Sequence, residues 1–485
     1  MSEVWLAKQT VLLVPVVIKT LRSAISEADS QGFARMLNEA RLMARIPSAR
    51  VVRALDAGVH YGIEVSGDSS PGIGYVVQEY VDGIDLAELD RERRKSLGLG
   101  LPLWFVCVVM KEICLALHAS HQTGVIHRDV KPSNVFGSPQ TGIRLGDFGI
   151  AIPHAEARAP LEVSGTFKFM SPEQLRGEPL DRATDVYGAA ATACDLRYGC
   201  APFADLRATL DPDVPPCFPA PTTPSEAYFQ HVLREMLAYD CSKRPRDLAE
   251  IGRHFHALAR TLKPTSDRSS FVSLEKNRLR FGQCEVTFET GDVSRTKADG
   301  IVNSAHFHMR MRSGVGEALR TRGGDEIEVE ATKAGECALG TSVATGAGRL
   351  DARHVLHAVS AWNEISCVGR AAHRTLLLAE ELGLKSLAIP ALGTGASRVT
   401  HETCANALAT ALRHHLLLGG SRLRQVRFVL RDEGARDVFR EVAAQALRDD
   451  EELQPVYDLG LEAEGAVRPD AATHVRASRP EVDHS

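Results

Sequence analysis

The string His127-Arg128-Asp129-Val130-Lys131-Pro132-Ser133-Asn134, followed by Asp147-Phe148-Gly149, constrains this chain more than any other feature. Together the two strings supply both halves of a phosphoryl-transfer site, in order and at working spacing. Phosphoryl transfer needs a carboxylate to orient the attacking hydroxyl, and oxygen ligands to hold magnesium against the phosphates. Asp129 fits the first role, and Asn134 and Asp147 fit the second. A chance match to so long a string is negligible, so the competing reading is a retained fold without activity.

At 485 residues the chain is too long for one ordinary core, and its pattern divides into two domains. The 44% hydrophobic and 25% charged composition is that of a globular protein. The apolar run Val11 to Ile18 is too short for a bilayer and contains Pro15, so no membrane partner is expected. Without a secretory signature at the start, the expected compartment is cytoplasmic. Ten cysteines without a Cys-x-x-Cys pair suggest reduced, mostly buried thiols. The net charge is −5, yet the ten acidic and three basic residues of Asp449 to Ser485 contribute −7, leaving about +2 elsewhere. With no basic stripe, nucleic acid is not expected as a partner.

The expected organisation is a first domain over 1–258, a linker over 259–274, a second domain over 275–448 and an acidic tail over 449–485. Pro455, Pro469 and Pro480 and the lack of periodicity in the tail predict disorder. In the first domain, Val4 to Gln9 and Val16 to Leu21 alternate as strands, and the second carries Lys19 where it can reach phosphates. Phe33, Met36, Leu37, Ala40 and Met43 mark one helical face, which places Glu39, 20 residues after Lys19, on a helix.

From Val4 to about His256 the chain resembles the eukaryotic-like Ser/Thr protein kinases, most closely their bacterial branch. The resemblance implies a two-lobed α+β kinase fold, ATP and Mg2+ as cofactors, and protein Ser/Thr hydroxyls as substrates. It makes Asp129 the base, Lys131 the neutraliser of the transferred phosphate, and Lys19 with Glu39 the phosphate-positioning pair. Asn134 and Asp147 become the magnesium ligands. Backbone groups of Glu79 and Val81 would bond the adenine, with Gln78 as gatekeeper. Asp185 would anchor the catalytic loop, Arg244 would partner Glu173, and Arg128 could receive a phosphate, although Ser164 is the only hydroxyl between Gly149 and Gly165. The family places a Gly-rich loop before the strand matching Val4 to Gln9, so the expected N-lobe is truncated at that loop. Either the real start lies upstream or the kinase is weakened.

In the second domain Glu285 to Glu289 and Gly300 to Ala305 read as strands. Ser313-Gly314-Val315-Gly316 then leads into a helical Glu317 to Arg320, and Gly393-Thr394-Gly395-Ala396 follows the apolar strand Ser386 to Ile389. Two glycine turns of this kind suit a diphosphate. The segment 275–448 is similar to a macro domain, which implies an α/β/α fold with a mixed sheet and ADP-ribose, free or on modified proteins, as ligand. Asp292 and Val293 would meet the adenine. Asn303 and His306 would line the ribose side, Gly314, Val315 and Gly316 the first phosphate loop, and Gly393 to Ala396 the second; Arg353 to Ser360 would be the central strand. His306 and Gly316 replace an asparagine and an aspartate of the family pattern, which favours binding over hydrolysis. His306-x-His308 lacks further ligands at metal spacing, so a pocket-lining histidine is preferred to zinc. The favoured reading is a Ser/Thr kinase coupled to an ADP-ribose reader. The alternatives are a pseudokinase adaptor and an ADP-ribosyl hydrolase.

Overall fold

The computed structural model describes residues 2–12, 14–21, 37, 40–41, 43–60, 73–138, 141–148, 167–262, 271–362, 365–395 and 397–447. The tail falls outside them. Four antiparallel strands open the chain: β1 (Ser2–Lys8), β2 (Pro15–Leu21), β3 (Ala54–His60) and β4 (Ile73–Glu79), in the order β1-β2-β4-β3. Side chains alternate along a strand, so β4 turns Val76 and Gln78 inward while Tyr75 and Val77 stay half-buried.

A second, three-stranded sheet is made of β5 (Ile84–Asp85), β6 (Val135–Ser138) and β7 (Gly142–Leu145), in that order. Helix α1 (Leu86–Leu97) starts where the Asp85 carboxylate accepts the Glu88 N–H and stops at Gly98, in the left-handed region at φ 69°. Helices α2 (Leu103–Gln122), α3 (Arg182–Tyr198), α4 (Pro224–Met236) and α5 (Leu248–Leu262) form the core of this lobe. By length and apolarity α2 could cross a bilayer, but 78% of its most apolar window is buried. Val106, Met110, Ile113 and Leu117 pack there against Ala190, Phe229 and Phe255. Run length in the sequence concealed this helix because Lys111 and Glu112 interrupt it; they form a buried ion pair at 2.9 Å, and Arg50 adds a second bond to Glu112 at 2.7 Å.

The second half is built on one eight-stranded sheet: β8 (Phe271–Glu275), β9 (Arg278–Phe281), β10 (Cys284–Thr290), β11 (Gly300–Ser304), β12 (Ser342–Gly346), β13 (His354–Ala358), β16 (Ser386–Ile389) and β17 (Gln425–Leu430). The short β14 (Ala361–Trp362) and β15 (Ile365–Ser366) form a separate hairpin. The order β12-β13-β11-β16-β17-β10-β9-β8 mixes parallel pairs in the middle with antiparallel pairs at both ends. Regular elements therefore run to Leu262 and resume at Phe271, within both ends of the segment assigned to the linker.

Successive residues of the inner strands enter different cores, as the pleat requires. Val302, Leu356, Leu387 and Phe428 join helices α8 (Val368–Glu381), α9 (His401–Leu417) and α10 (Glu433–Leu447). Ile301, Val355, Ala388 and Val429 join α6 (Gly314–Gly323) and α7 (Glu326–Thr332) on the opposite face. Helices on both faces of a mixed sheet are the predicted α/β/α architecture. Two expectations need correction. The strand read as central, β13, lies second from an edge, because β12 pairs outside it. The helix expected from Glu317 begins at Gly314, so the glycines form its first turn rather than a loop before it.

Candidate functional site

Asp185, at the start of α3 and 1% exposed, fixes the string His127 to Asn134. Its carboxylate accepts the backbone N–H groups of Arg128 at 2.7 Å and His127 at 2.8 Å and a bond from His121 Nε2 at 2.7 Å. Arg128 is thereby held at φ 67°, and Asp147 adopts φ 53°, both in the left-handed region that costs a non-glycine residue of order 1–3 kcal/mol. His127 ties the strings together: Nε2 bonds Gly146 O at 2.9 Å, and its ring lies 4.4 Å from that of Phe148. Gly146 N–H in turn donates to Asn134 O at 2.8 Å.

Around the Asp129 carboxylate, Lys131 Nζ approaches to 2.7 Å and Asn134 Nδ2 to 3.0 Å; Asn134 Nδ2 also bonds Asp129 O at 2.7 Å. Across the cleft, Lys19 on β2 forms an ion pair with Asp147. Glu39 lies outside the described residues, as do Ser164 and the rest of 149–166. Glu79, where β4 ends, is pinned by Arg53, whose backbone N–H donates to Oε1 at 3.0 Å, and Val81 O accepts Gly83 N–H at 2.9 Å. Gln78 is 2% exposed behind them. Glu173 and Arg244 form a two-bond buried pair at 2.6 and 2.9 Å, and Gln174 Nε2 donates to Arg128 O at 2.7 Å. Sequence reading had not singled out Gln174. Its capping bond with Ser171 is a local signal that could have found it.

In the second half, Asp292 Oδ1 accepts Ser294 N–H at 2.9 Å and Ser294 Oγ–H at 2.7 Å, with Val293 buried beside it. Burial pushes this carboxyl up, but the Ser294 bonds outweigh it and hold it below the usual carboxylate range. Gly314, Val315 and Gly316 open α6 with no side-chain cap from Ser313, which leaves first-turn N–H groups for an anion. At the second turn Gly393 sits at φ 70° and its N–H is already engaged by Ser304 Oγ at 3.1 Å. That bond fastens the turn to the end of β11. Thr394 and Gly395 follow it, and Ala396 is outside the described residues. His306 stacks on Phe307 at 4.3 Å and accepts the His308 N–H at Nδ1, while His308 pairs with Glu336 at 3.1 Å. Among the described residues no group of three His, Cys, Asp or Glu side chains converges as a metal site.

Asn303 is 1% exposed and bonds His357 Nδ1 through Nδ2 at 3.1 Å; His357 Nε2 bonds Thr345 Oγ1 at 2.9 Å. With Nδ1 accepting, the ring's proton resides on Nε2 and the imidazole is neutral. Burial depresses His357 from 6.5 to about 4. Between those values the unfolded chain binds a proton that the folded chain refuses, so stability falls on acidification from about pH 6.5 to about pH 4 and is unaffected by this residue above that window. The expected loss is on the order of 3 kcal/mol at the acid end. Denaturant titrations across that range check it: His357→Gln should show a shallower acid dependence.

With this geometry described, family comparisons define the class. The protein kinase domain model matches residues 1–255, and the chain belongs to that family. The macro domain model matches residues 302–408, so a macro domain follows the kinase domain. Among characterised proteins, the chain is similar to the probable serine/threonine-protein kinase PknB of Corynebacterium glutamicum, 33% identical over 239 residues that cover 47% of this chain and 35% of that one. It is also similar to the serine/threonine-protein kinase PknB of Mycobacterium leprae, 33% identical over 206 residues covering 42% and 31%. The chain thus spans about a third of the length of the curated relatives it matches. Solved structures that align include a variant PknI kinase domain of Mycobacterium tuberculosis (26% identity, TM-score 0.39, 53% of this chain and 91% of that one). Another is a variant macrodomain of Oceanobacillus iheyensis (21% identity, TM-score 0.32, 34% and 94%).

Proposed function

We propose that the chain is a Ser/Thr protein kinase that transfers the γ-phosphate of MgATP to protein hydroxyls and carries a macro domain that binds ADP-ribose, free or on a modified partner. The observation that carries this reading is a pair of contact sets, Asp129 with Lys131 and Asn134 and, beside them in the fold, Lys19 with Asp147, held together through Gly146, whose N–H bonds Asn134 O and whose carbonyl bonds His127. In it Asp129 orients and accepts the proton of the substrate hydroxyl as its oxygen bonds phosphorus and ADP leaves. Lys131 offsets charge on the transferred group, and Lys19 positions the α and β phosphates. Magnesium suits the donor set, because Asn134 spends its Nδ2 on Asp129 and so offers its amide oxygen, and Asp147 adds carboxylate oxygen. When bound, the ion neutralises phosphate charge. Glu79 and Val81 give their backbone to the adenine. This reading assigns the cytoplasm as compartment. Incubating the full chain with MgATP and a generic Ser/Thr substrate, and weighing both proteins afterwards, tests it; no added phosphate on either would overturn it.

For the macro half, binding without hydrolysis is supported at Gly316. A Cβ added there would lie 3.2 Å from Met311 Cα and 3.4 Å from Asn303 Oδ1. Gly316→Asp is therefore expected to strain the pocket by about 1–3 kcal/mol, to weaken ADP-ribose binding in calorimetry, and to confer no release of ADP-ribose from modified protein.

A further inference from the structure

The kinase hinge is fastened to the macro domain. Directly after Val81, the Asp82 carboxylate accepts the N–H of Gly369 at 2.9 Å and of Arg370 at 3.0 Å, the first turn of α8. Cys367, the residue before α8, provides no side-chain cap of its own. Gly369 also lets the chains approach: a Cβ there would sit 3.1 Å from both Asp82 O and Asp82 Oδ2. One turn further along, Glu88 on α1 meets Arg374 Nη2 at 2.5 Å and Arg370 Nη2 at 3.7 Å. At the far end Arg93, 1% exposed, donates to Leu418 O at 3.1 Å and Gly419 O at 3.2 Å, where α9 ends. A carboxylate thus serves the positive end of one macro helix and a guanidinium the negative end of another. Leu377 and Leu418 complete the apolar seam within the kinase core.

This seam continues into the ADP-ribose side. Cys367 N–H donates to Ser360 O at 2.7 Å. Ser360 follows β13, whose His357 holds Asn303. The path from Asn303 to Asp82 thus alternates these hydrogen bonds with two short stretches of chain, 357–360 and 367–369.

We propose that the macro domain sets the geometry of the nucleotide site through this seam, with Asp82 and Glu88 as positioning residues. This rests on the kinase reading above. The test uses the full chain with Glu88→Arg, Arg374→Glu and the double reversal, reading MgATP affinity by calorimetry and amide exchange over residues 80–85. Each single reversal is expected to speed hinge exchange and weaken MgATP about tenfold, within the usual range of site-to-site coupling. The double reversal should recover most of both, which a merely misfolded variant would not do. Gly369→Ala, which crowds Asp82 without touching charge, should reproduce the single reversals. Faster exchange with MgATP affinity unchanged would overturn the proposal, as would unchanged exchange. A wild-type chain with no MgATP affinity would overturn the kinase reading instead, and hinge exchange would still decide whether the macro domain holds that segment.

Discussion

Asp129→Ala is expected to reduce phosphate incorporation by on the order of 10^2–10^4-fold, the usual contribution of a positioned base. The prediction separates chemistry from folding, because the Asp129 side chain is about one-third exposed and its loss strands no buried charge. Lys131 is itself partly exposed, and Asn134 Nδ2 keeps its 2.7 Å bond to Asp129 O. The loop over residues 127–134 remains anchored through Asp185, whose bonds to the backbone of His127 and Arg128 and to the ring of His121 do not involve Asp129. Intact-mass measurement of both chains in MgATP is the check. Equal incorporation would remove Asp129 from the mechanism and point to a different base.

Glu173→Ala carries the largest expected stability loss, about 3–5 kcal/mol. Arg244 has no exposed side-chain surface, and both its bonds to Glu173 are short. Removing the carboxylate leaves a guanidinium in the core with the carbonyls of Ala238, Tyr239 and Ala183 and the ring of Tyr187 in place of an opposite charge, and it also deprives Thr184 Oγ1 of its acceptor. Urea titration of the full chain should show the loss in the kinase-domain transition. Replacing both partners with apolar residues should recover part of it, because the cost lies in the orphaned charge more than in the missing attraction.

The residues that could be read from the sequence were those whose chemistry sits in unbroken strings. Asp129, Lys131, Asn134 and Asp147 fall within two such strings, and Lys19 follows from strand alternation. The glycines at 314–316 and 393–395 were also visible, but their use was not. Whether Gly314 begins a helix depends on what Ser313 bonds, and whether Gly393 offers a free N–H depends on Ser304, which is remote in sequence. The place of β13 in the sheet was hidden for a related reason, since strand order depends on partners that no local pattern names. Least legible was Asp82. In sequence it is one carboxylate after a strand, and its partners lie 287 and 288 positions away.

The burial of Arg93 against the end of α9 bears on how such a protein can be dissected. A shortened chain stopping at Leu262 would keep every side chain of the proposed phosphoryl-transfer site, yet it would bare Leu86, Leu89 and Trp104 to water and leave Arg93 without the carbonyls of Leu418 and Gly419. Poor yield or low turnover from that fragment would then report a wounded surface and would not count against the activity proposed for the whole chain. For this protein the natural unit of study is the fused pair.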